Sequence, residues 1–368
     1  AAAAAPRDRR SPFDLGGSNG SLMAYRALGR SGLRVSAVSY GAWLTVSESG
    51  QVTLEKASAI LREAVRQGIN FIDNAESYGA YPGESEYIMG QALQQLFDDD
   101  VVERSDLVIS TKLWRGGFGV NERGLSRKHL VEGMVKSLQR LRLDYVDVVF
   151  CHRPDPTTPL EETVRAMNHL LDRGWAFYWG TSEWSAVQIA QAASIAKSLG
   201  LVGPVVEQPL YNLFHRQRVE VEYAPLYKEL GLGTTVYSPL AEGILAGRYS
   251  AGVPADSRAA RVARKKDLAG RAGQIEAARA LAPLAARAGC TLSQLVLAWT
   301  LRDARVSTAI VGASRPEQIA ENAGALRCLG RLDEAALSEV EAIAGASLEV
   351  DGVAAMVEET VGKRGPFP

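Results

Sequence analysis

Residues 145–156 read YVDVVFCHRPDP, an apolar strand that ends abruptly in Cys151, His152 and Arg153 and is stopped by prolines. Helical patterns over 127–141 and 160–173 flank it, so the strand lies between two helices. A histidine on the last rung of such a strand has four readings: core filler, metal ligand, half of a Cys–His nucleophilic pair, or one wall of a site. Successive strand residues point to opposite faces, which removes the Cys151–His152 pair and turns Cys151 toward the helices as a small buried hydrophobe. His129, His152, His169 and His215 are scattered without the paired spacing of zinc ligands, so no metal is expected.

Outward from this stretch the same unit repeats. Short apolar runs recur as VSAVSYGAW, INFID, DLVIST, AFYWGT, VVEQ, TTVYS and STAIVGA. Helical patterns separate them near 54–67, 84–97, 185–199, 218–230, 291–303 and 315–327, with extra helices expected over 273–288 and 332–345. Eight strands alternating with eight helices predict a parallel α/β fold. The open sheet that binds dinucleotides carries G-x-G-x-x-G after a strand, and neither GLGTTV (231–236) nor GFGVNE (117–122) completes it. The expected fold class is therefore α/β, a (β/α)8 TIM barrel with an N-terminal β-hairpin around Gly29–Gly32 and extra C-terminal helices. It is read as one domain over 23–345, between a disordered tail (1–22) and a C-terminal tail (346–368).

Composition narrows the function. A formal net charge of −1 and a pI near 6.6 argue against a nucleic-acid partner, and no apolar stretch is long enough for membrane insertion. Cys151, Cys290 and Cys328 are odd in number and far apart, so no disulfide framework is expected and a reducing compartment is. The start, AAAAAPRDRRSPFDLGGSNGS, has no apolar h-region and is read as no secretory signal. An organellar transit remnant stays open there, weakened by Asp8 and Asp14.

In such barrels chemistry gathers at the carboxyl ends of the strands. Those ends carry Trp43, Asp73 with Tyr78 shortly after, Lys112, His152, Ser182, Gln208, Tyr237 with Ser238, and Ser314. Asp73 and Lys112 lie on successive strands and are expected to pair. An ammonium beside a tyrosine stabilises phenolate and is expected to lower the phenol pKa, an aspartate holds the lysine charged, and a histidine can hydrogen-bond a substrate oxygen. Such a set protonates an oxygen while a bound cofactor delivers hydride to its carbon, since no side chain supplies one. Trp43 is read as a wall of the substrate or cofactor pocket, and Trp175, Trp179 and Trp184 as mostly core.

GINFIDNAESYG, VISTKLW, the run from Gly124 to Met167, YWGTSEWS, YSPLAEGILAGRY and VGASRPEQIAEN together resemble the aldo-keto reductases, and within them the voltage-gated potassium channel β subunits and their plant-type relatives. The resemblance covers about residues 23–345. It implies NADPH bound without a Rossmann domain, and reduction of aldehydes or ketones with Tyr78 as general acid, tuned by Asp73 and Lys112, with His152 in the fourth position. Animal channel β subunits have Asn there, and His favours competent chemistry. Ser182 and Gln208 match groups on the nicotinamide amide, Tyr237 the ring that stacks on it, and Ser238, Pro239, Leu240, Ala241 and Gly243 the pyrophosphate loop. Arg248 and Arg258 are placed for phosphate. Ser314, Arg315, Gln318, Glu321 and Asn322 sit after the last strand and along the next helix: the last three share one helical face suited to the adenosine end, and Ser314 lies by the helix start, where backbone N–H groups favour phosphate.

Two departures stand out. Glu183 replaces an Arg and Glu242 a Cys of the animal β subunits, and each carboxylate would weaken phosphate contacts or point away. The resemblance further implies a homotetramer, cytoplasmic placement and, as the alternative function, a regulatory subunit of a potassium channel α subunit that senses nicotinamide redox state.

Overall fold

A computed structural model describes residues 23–43, 53–250, 252, 268 and 270–351, with side chains described as far as Gly345. The tail expected over 1–22, and most of that over 346–368, lie outside the described residues. Strands β1 (Tyr25–Ala27) and β2 (Arg34–Ser36) form an antiparallel hairpin. Eight parallel strands follow: β3 (Val38–Gly41), β4 (Phe71–Asp73), β5 (Val108–Leu113), β6 (Val146–Cys151), β7 (Ala176–Ser182), β8 (Val206–Gln208), β9 (Gly233–Tyr237) and β10 (Val306–Val311). They close in chain order, with β10 pairing back onto β3. This is the expected (β/α)8 TIM barrel.

Helices α1 (Leu54–Arg66), α2 (Glu84–Asp98), α3 (Arg127–Leu141), α4 (Leu160–Asp172), α5 (Ala186–Ser198) and α6 (Ala224–Leu230) alternate with the strands. After β9 come α7 (Ala272–Arg287) and α8 (Leu292–Leu301), and after β10 α9 (Pro316–Ala323), α10 (Ala325–Leu329) and α11 (Glu334–Asp351). Local sequence fixes their starts. Thr53 and Ser126 accept backbone N–H groups at the ends of α1 and α3, while Ser185 with Gln188 and Thr291 with Gln294 close capping boxes on α5 and α8. Helix α1 buries Ala57, Ile60, Leu61, Ala64 and Val65, one face at helical spacing.

Strand alternation divides the core. On β6, Val148 and Phe150 turn into the barrel, where they meet Phe71, Val108, Val206 and Ile310; Val149 and Cys151 turn outward into the larger core under the helices. The interior is closed at its amino end by Leu28 and Val35 of the hairpin. A Cβ on Gly233 would lie 2.4 Å from the Gly29 nitrogen, so this contact requires glycine on the strand, and Gly29 itself sits at φ +57. Arg26 donates to the carbonyls of Leu301 and Asp303, at and just past the end of α8, and of Val306 at the start of β10.

Three expectations need correction. The run read as a single strand over 35–43 serves two sheets: it leaves the hairpin at Ser36, and Ala37 donates to Ala24 while accepting from Ala309 of the barrel. The helical patterns over 218–230 and 315–327 each divide. A five-residue π turn (Arg218–Glu222) precedes α6, whose first turn holds Pro225, and Gly324 separates α9 from α10. Cys290 and Cys328, read as unpaired, form a disulfide: they are 38 residues apart, yet the packing of α10 against α8 brings their Cα atoms to 5.9 Å, within disulfide span. Cys151 remains a buried free thiol, pushed above its ordinary pKa by burial.

Candidate active site

The carboxyl rim of the barrel gathers Asp73, Tyr78, Lys112 and His152. Phe71 and Asp73 face inward on β4, as do Ser110 and Lys112 on β5. Lys112 and Asp73 are almost completely buried, and the Lys112 ammonium spends its three donors on Asp73 Oδ2 (2.5 Å), the Asn74 carbonyl (2.8 Å) and Tyr78 Oη (3.1 Å). Asp73 also accepts from Ser110 (2.7 Å) and from Gln208 Nε2 (3.3 Å). A buried ion pair of this kind persists because every polar atom is satisfied.

The segment carrying Tyr78 is tied down on both sides. Glu76 N–H donates to the Lys112 carbonyl, Tyr78 N–H to Ala75, and Ser85 N–H to the Tyr78 carbonyl. The fully buried Glu76 carboxylate accepts from the Trp114 backbone (2.5 Å) and meets His129 Nε2 at 2.9 Å, a buried pair that the sequence did not reveal.

Burial raises the Tyr78 phenol above its ordinary pKa; Lys112 pulls the other way and is outweighed. The expected net lowering is thus reversed, and the phenol stays protonated at neutral pH, as a proton donor must. For Lys112, burial works against the charge, but Asp73 and Tyr78 prevail and hold the amine above its ordinary range. His152, just past the end of β6, faces the mouth with its ring centroid 5.6 Å from that of Tyr78, edge to face, and its Nδ1 3.5 Å from Ser77 Oγ. Burial, then Arg153, then Lys112 depress its pKa well below the ordinary value. It is a neutral imidazole, able to hydrogen-bond an oxygen without adding charge.

The sign of this shift gives a test. The kcat/KM profile of the reaction proposed below should show no limb near pH 6.5 from His152, and His152→Asn should leave the shape unchanged. A limb near 6.5 that vanishes in the variant would contradict a neutral imidazole. Stability should fall as pH drops below about 6.5, where the unfolded histidine takes a proton that the folded one refuses.

Around this centre the structure places a donor set suited to a dinucleotide. Ser182 and Gln208 face inward on adjacent strands; the Ser182 hydroxyl donates to the Gln208 carbonyl (2.9 Å) and Gln208 Nε2 also reaches Thr235 (3.4 Å). Tyr237 ends β9, its phenol raised by burial and by the Glu183 carboxylate. Trp43, 39% exposed, lies with its ring 6.4 Å from that of Tyr78.

Beyond Tyr237 the chain curls through Ser238 (φ +51), Ala241 (+46), Glu242 (+61) and Gly243 (+99), with Pro239 and Leu240 between. Left-handed non-glycine residues are uncommon, and a run of them shapes a backbone concavity of the kind that receives anions. Arg248 follows one turn later, and Arg258 lies outside the described residues. Ser314 and Arg315 precede α9. The Gln318 side chain accepts from the Ser314 backbone N–H (2.7 Å), Glu321 is half-buried and Asn322 is buried. These residues can hold a phosphate and an adenosine.

Both departures are engaged with cations of the chain itself. Glu183 (φ +60) accepts from the Leu210 N–H (2.7 Å) and pairs with Arg218 (2.7 Å), and Glu242 lies 3.5 Å from Arg271. Behind Ser182 and Gln208, on the helix side, Glu207 is fully buried with Thr181, the Trp184 N–H and Tyr223, and burial pushes its carboxyl up to about 8.

One mouth residue lies outside the set that the strand ends mark in the sequence. Arg153 Nη1 donates to Ser182 Oγ (3.1 Å) and to the His152 carbonyl (2.5 Å), which brings a guanidinium into the site.

Closed parallel barrels with polar groups on the carboxyl rim form a broad class in which rim loops carry the function. Within it, the sequence profile of the Aldo/keto reductase family matches residues 37–344, and the chain belongs to that family. A protein of Oryza sativa subsp. japonica named "Probable voltage-gated potassium channel subunit beta" is 52% identical over 325 residues, 87% of this chain and 96% of that protein. One of the same name from Arabidopsis thaliana is 50% identical with the same coverage.

Proposed function

We propose that this chain reduces aldehydes and ketones to alcohols with NADPH, Tyr78 acting as the general acid. The observation that carries the reading is the Lys112 ammonium, which is held by Asp73 and aimed at the Tyr78 oxygen. Reduced nicotinamide, when bound, supplies a hydride to the carbonyl carbon. Tyr78 gives its phenolic proton to the carbonyl oxygen as the C=O π bond is lost, so the product alcohol carries one hydrogen on carbon and one on oxygen. Lys112 stabilises the phenolate left behind, which recovers its proton from water at the mouth. His152, neutral, hydrogen-bonds the same oxygen, and Trp43 walls the pocket.

Ser182 and Gln208 would hold the carboxamide of the cofactor and Tyr237 its ring. The loop Ser238–Gly243 with Arg248 and Arg258 would hold the pyrophosphate, Ser314 with Arg315 at the helix start a phosphate, and Gln318, Glu321 and Asn322 the adenosine end. The pairing of Glu183 and Glu242 with Arg218 and Arg271 supports retained affinity, since both carboxylates already have cationic partners. A fluorescence titration with NADPH and NADH tests this: saturable binding of NADPH is expected, and absence of binding by either would leave the barrel a scaffold and overturn the reading.

The names of the two plant relatives favour a second role alongside the first. We infer that the chain is also a cytoplasmic, homotetrameric partner of a voltage-gated potassium channel α subunit. Co-purification with a co-expressed plant α subunit, and a light-scattering mass of about four chains, are the expected results; a monomer that captures no channel would remove this role.

A further inference from the structure

We propose that Arg153 recognises an anionic substituent on the substrate, so that carbonyl compounds bearing a carboxylate are the preferred class. This rests on the reductase reading and narrows it.

The case begins with charge at the mouth. Asp73 and Lys112 neutralise one another, Glu183 is taken by Arg218 and Glu242 lies beside Arg271. Asp155, two residues along, spends its oxygens on Thr157, Thr158 and the Leu125 N–H. Among the described residues no carboxylate lies within ion-pair distance of Arg153, whose hydrogen bonds go from Nη1 alone to two neutral oxygens. A guanidinium carries five N–H donors in a planar fork suited to bidentate carboxylate. Its bond to Ser182 sets it at the mouth, and its charge reaches Tyr78, His152 and Tyr237, opposing the rise of the two phenols and adding to the fall of the imidazole.

Topology then says which anion it faces. Around the closed barrel β6 is four strands from β10 in either direction and three from β9. The curled loop and Arg248 follow β9, and Ser314 to Asn322 follow β10, so the groups suited to the cofactor's phosphates lie across the mouth from Arg153. A cation on the far rim, beside His152 and Tyr78, is left for the other molecule in the site, the carbonyl compound. A charge-assisted fork in a partly dry mouth is worth about 10- to 10²-fold in selectivity.

The test compares the ortho, meta and para carboxybenzaldehydes with their neutral carbamoyl counterparts, reading the ratio of kcat/KM within each pair so that changes in basal turnover cancel. At least one pair should favour the carboxylate by about tenfold or more in the native protein, and the preference should shrink as salt is raised, a reading that needs no variant. Arg153→Met should bring the ratio close to one, and Arg153→Lys, which keeps the charge without the fork, should fall between. Three results would overturn the inference: no pair favouring the carboxylate, a preference indifferent to salt, or one that persists in Arg153→Met. If no aldehyde is reduced, para-nitrobenzaldehyde included, the reductase reading fails and this inference falls with it.

Discussion

Replacing Tyr78 by Phe is expected to lower kcat for NADPH-dependent reduction of para-nitrobenzaldehyde by about 10²-fold or more, with cofactor affinity changed by less than about threefold. The substitution removes one oxygen and leaves the ring. That ring keeps its neighbours, Trp43 at 6.4 Å, His152 at 5.6 Å and the Lys112 ammonium at 4.8 Å from its centroid. Lys112 loses one of three acceptors but retains Asp73 and the Asn74 carbonyl, so the buried pair persists and the fold with it. The loss should therefore fall on kcat, with KM little changed, the pattern for an interaction made in the transition state. Because burial raises the phenol, the proposed activity of the native protein should hold up to about pH 10, the ordinary tyrosine pKa, and decline only above it. Turnover that survives in Tyr78→Phe would remove the general-acid role altogether.

Much of this was legible because a barrel writes itself in a repeating pattern. INFID, DLVIST and YVDVVF are each short, apolar and followed by a helix, and the polar residue closing each run lands on one rim. Asp73, Lys112 and His152 could be placed together on that ground alone. What escaped depends on geometry beyond the period. Arg153 follows the last rung of β6, where strand alternation ceases to say which way a side chain points, and only the turn shows its reach to Ser182. The Cys290–Cys328 bridge depends on how α10 packs against α8, which spacing along the chain does not encode. Glu76, Glu86 and Glu207 are buried away from the barrel interior, each with its own partner: His129, Arg140 and Thr181. A rule that sends every unusual polar residue to the rim misses them, because a buried carboxylate needs only a polar partner at hand, wherever packing supplies one.

Substituting Lys112 by Met should cost about 3–5 kcal/mol of stability and abolish turnover together, since methionine fills similar volume while stranding a buried charge on Asp73. Asp73 would keep the hydroxyl of Ser110 and the amide of Gln208, two neutral donors, in place of an ammonium at 2.5 Å. Removing the charge as well, in Asp73→Asn/Lys112→Met, should restore much of the stability, because the site no longer buries an unpaired ion, while kcat remains lower by about 10²-fold or more because nothing stabilises the Tyr78 phenolate. The two residues would then be strongly non-additive in denaturant unfolding and additive in nothing that concerns catalysis. The sign with pH follows from the raised amine: the contribution of Lys112 is complete below about pH 10, the unfolded lysine value, and is lost as pH climbs through the higher folded value. A Lys112→Met protein destabilised by less than about 1 kcal/mol would show that the Asp73 charge is relieved some other way. A double variant that regained turnover would show that Tyr78 works without the ammonium, and the mechanism built on that contact would have to be abandoned.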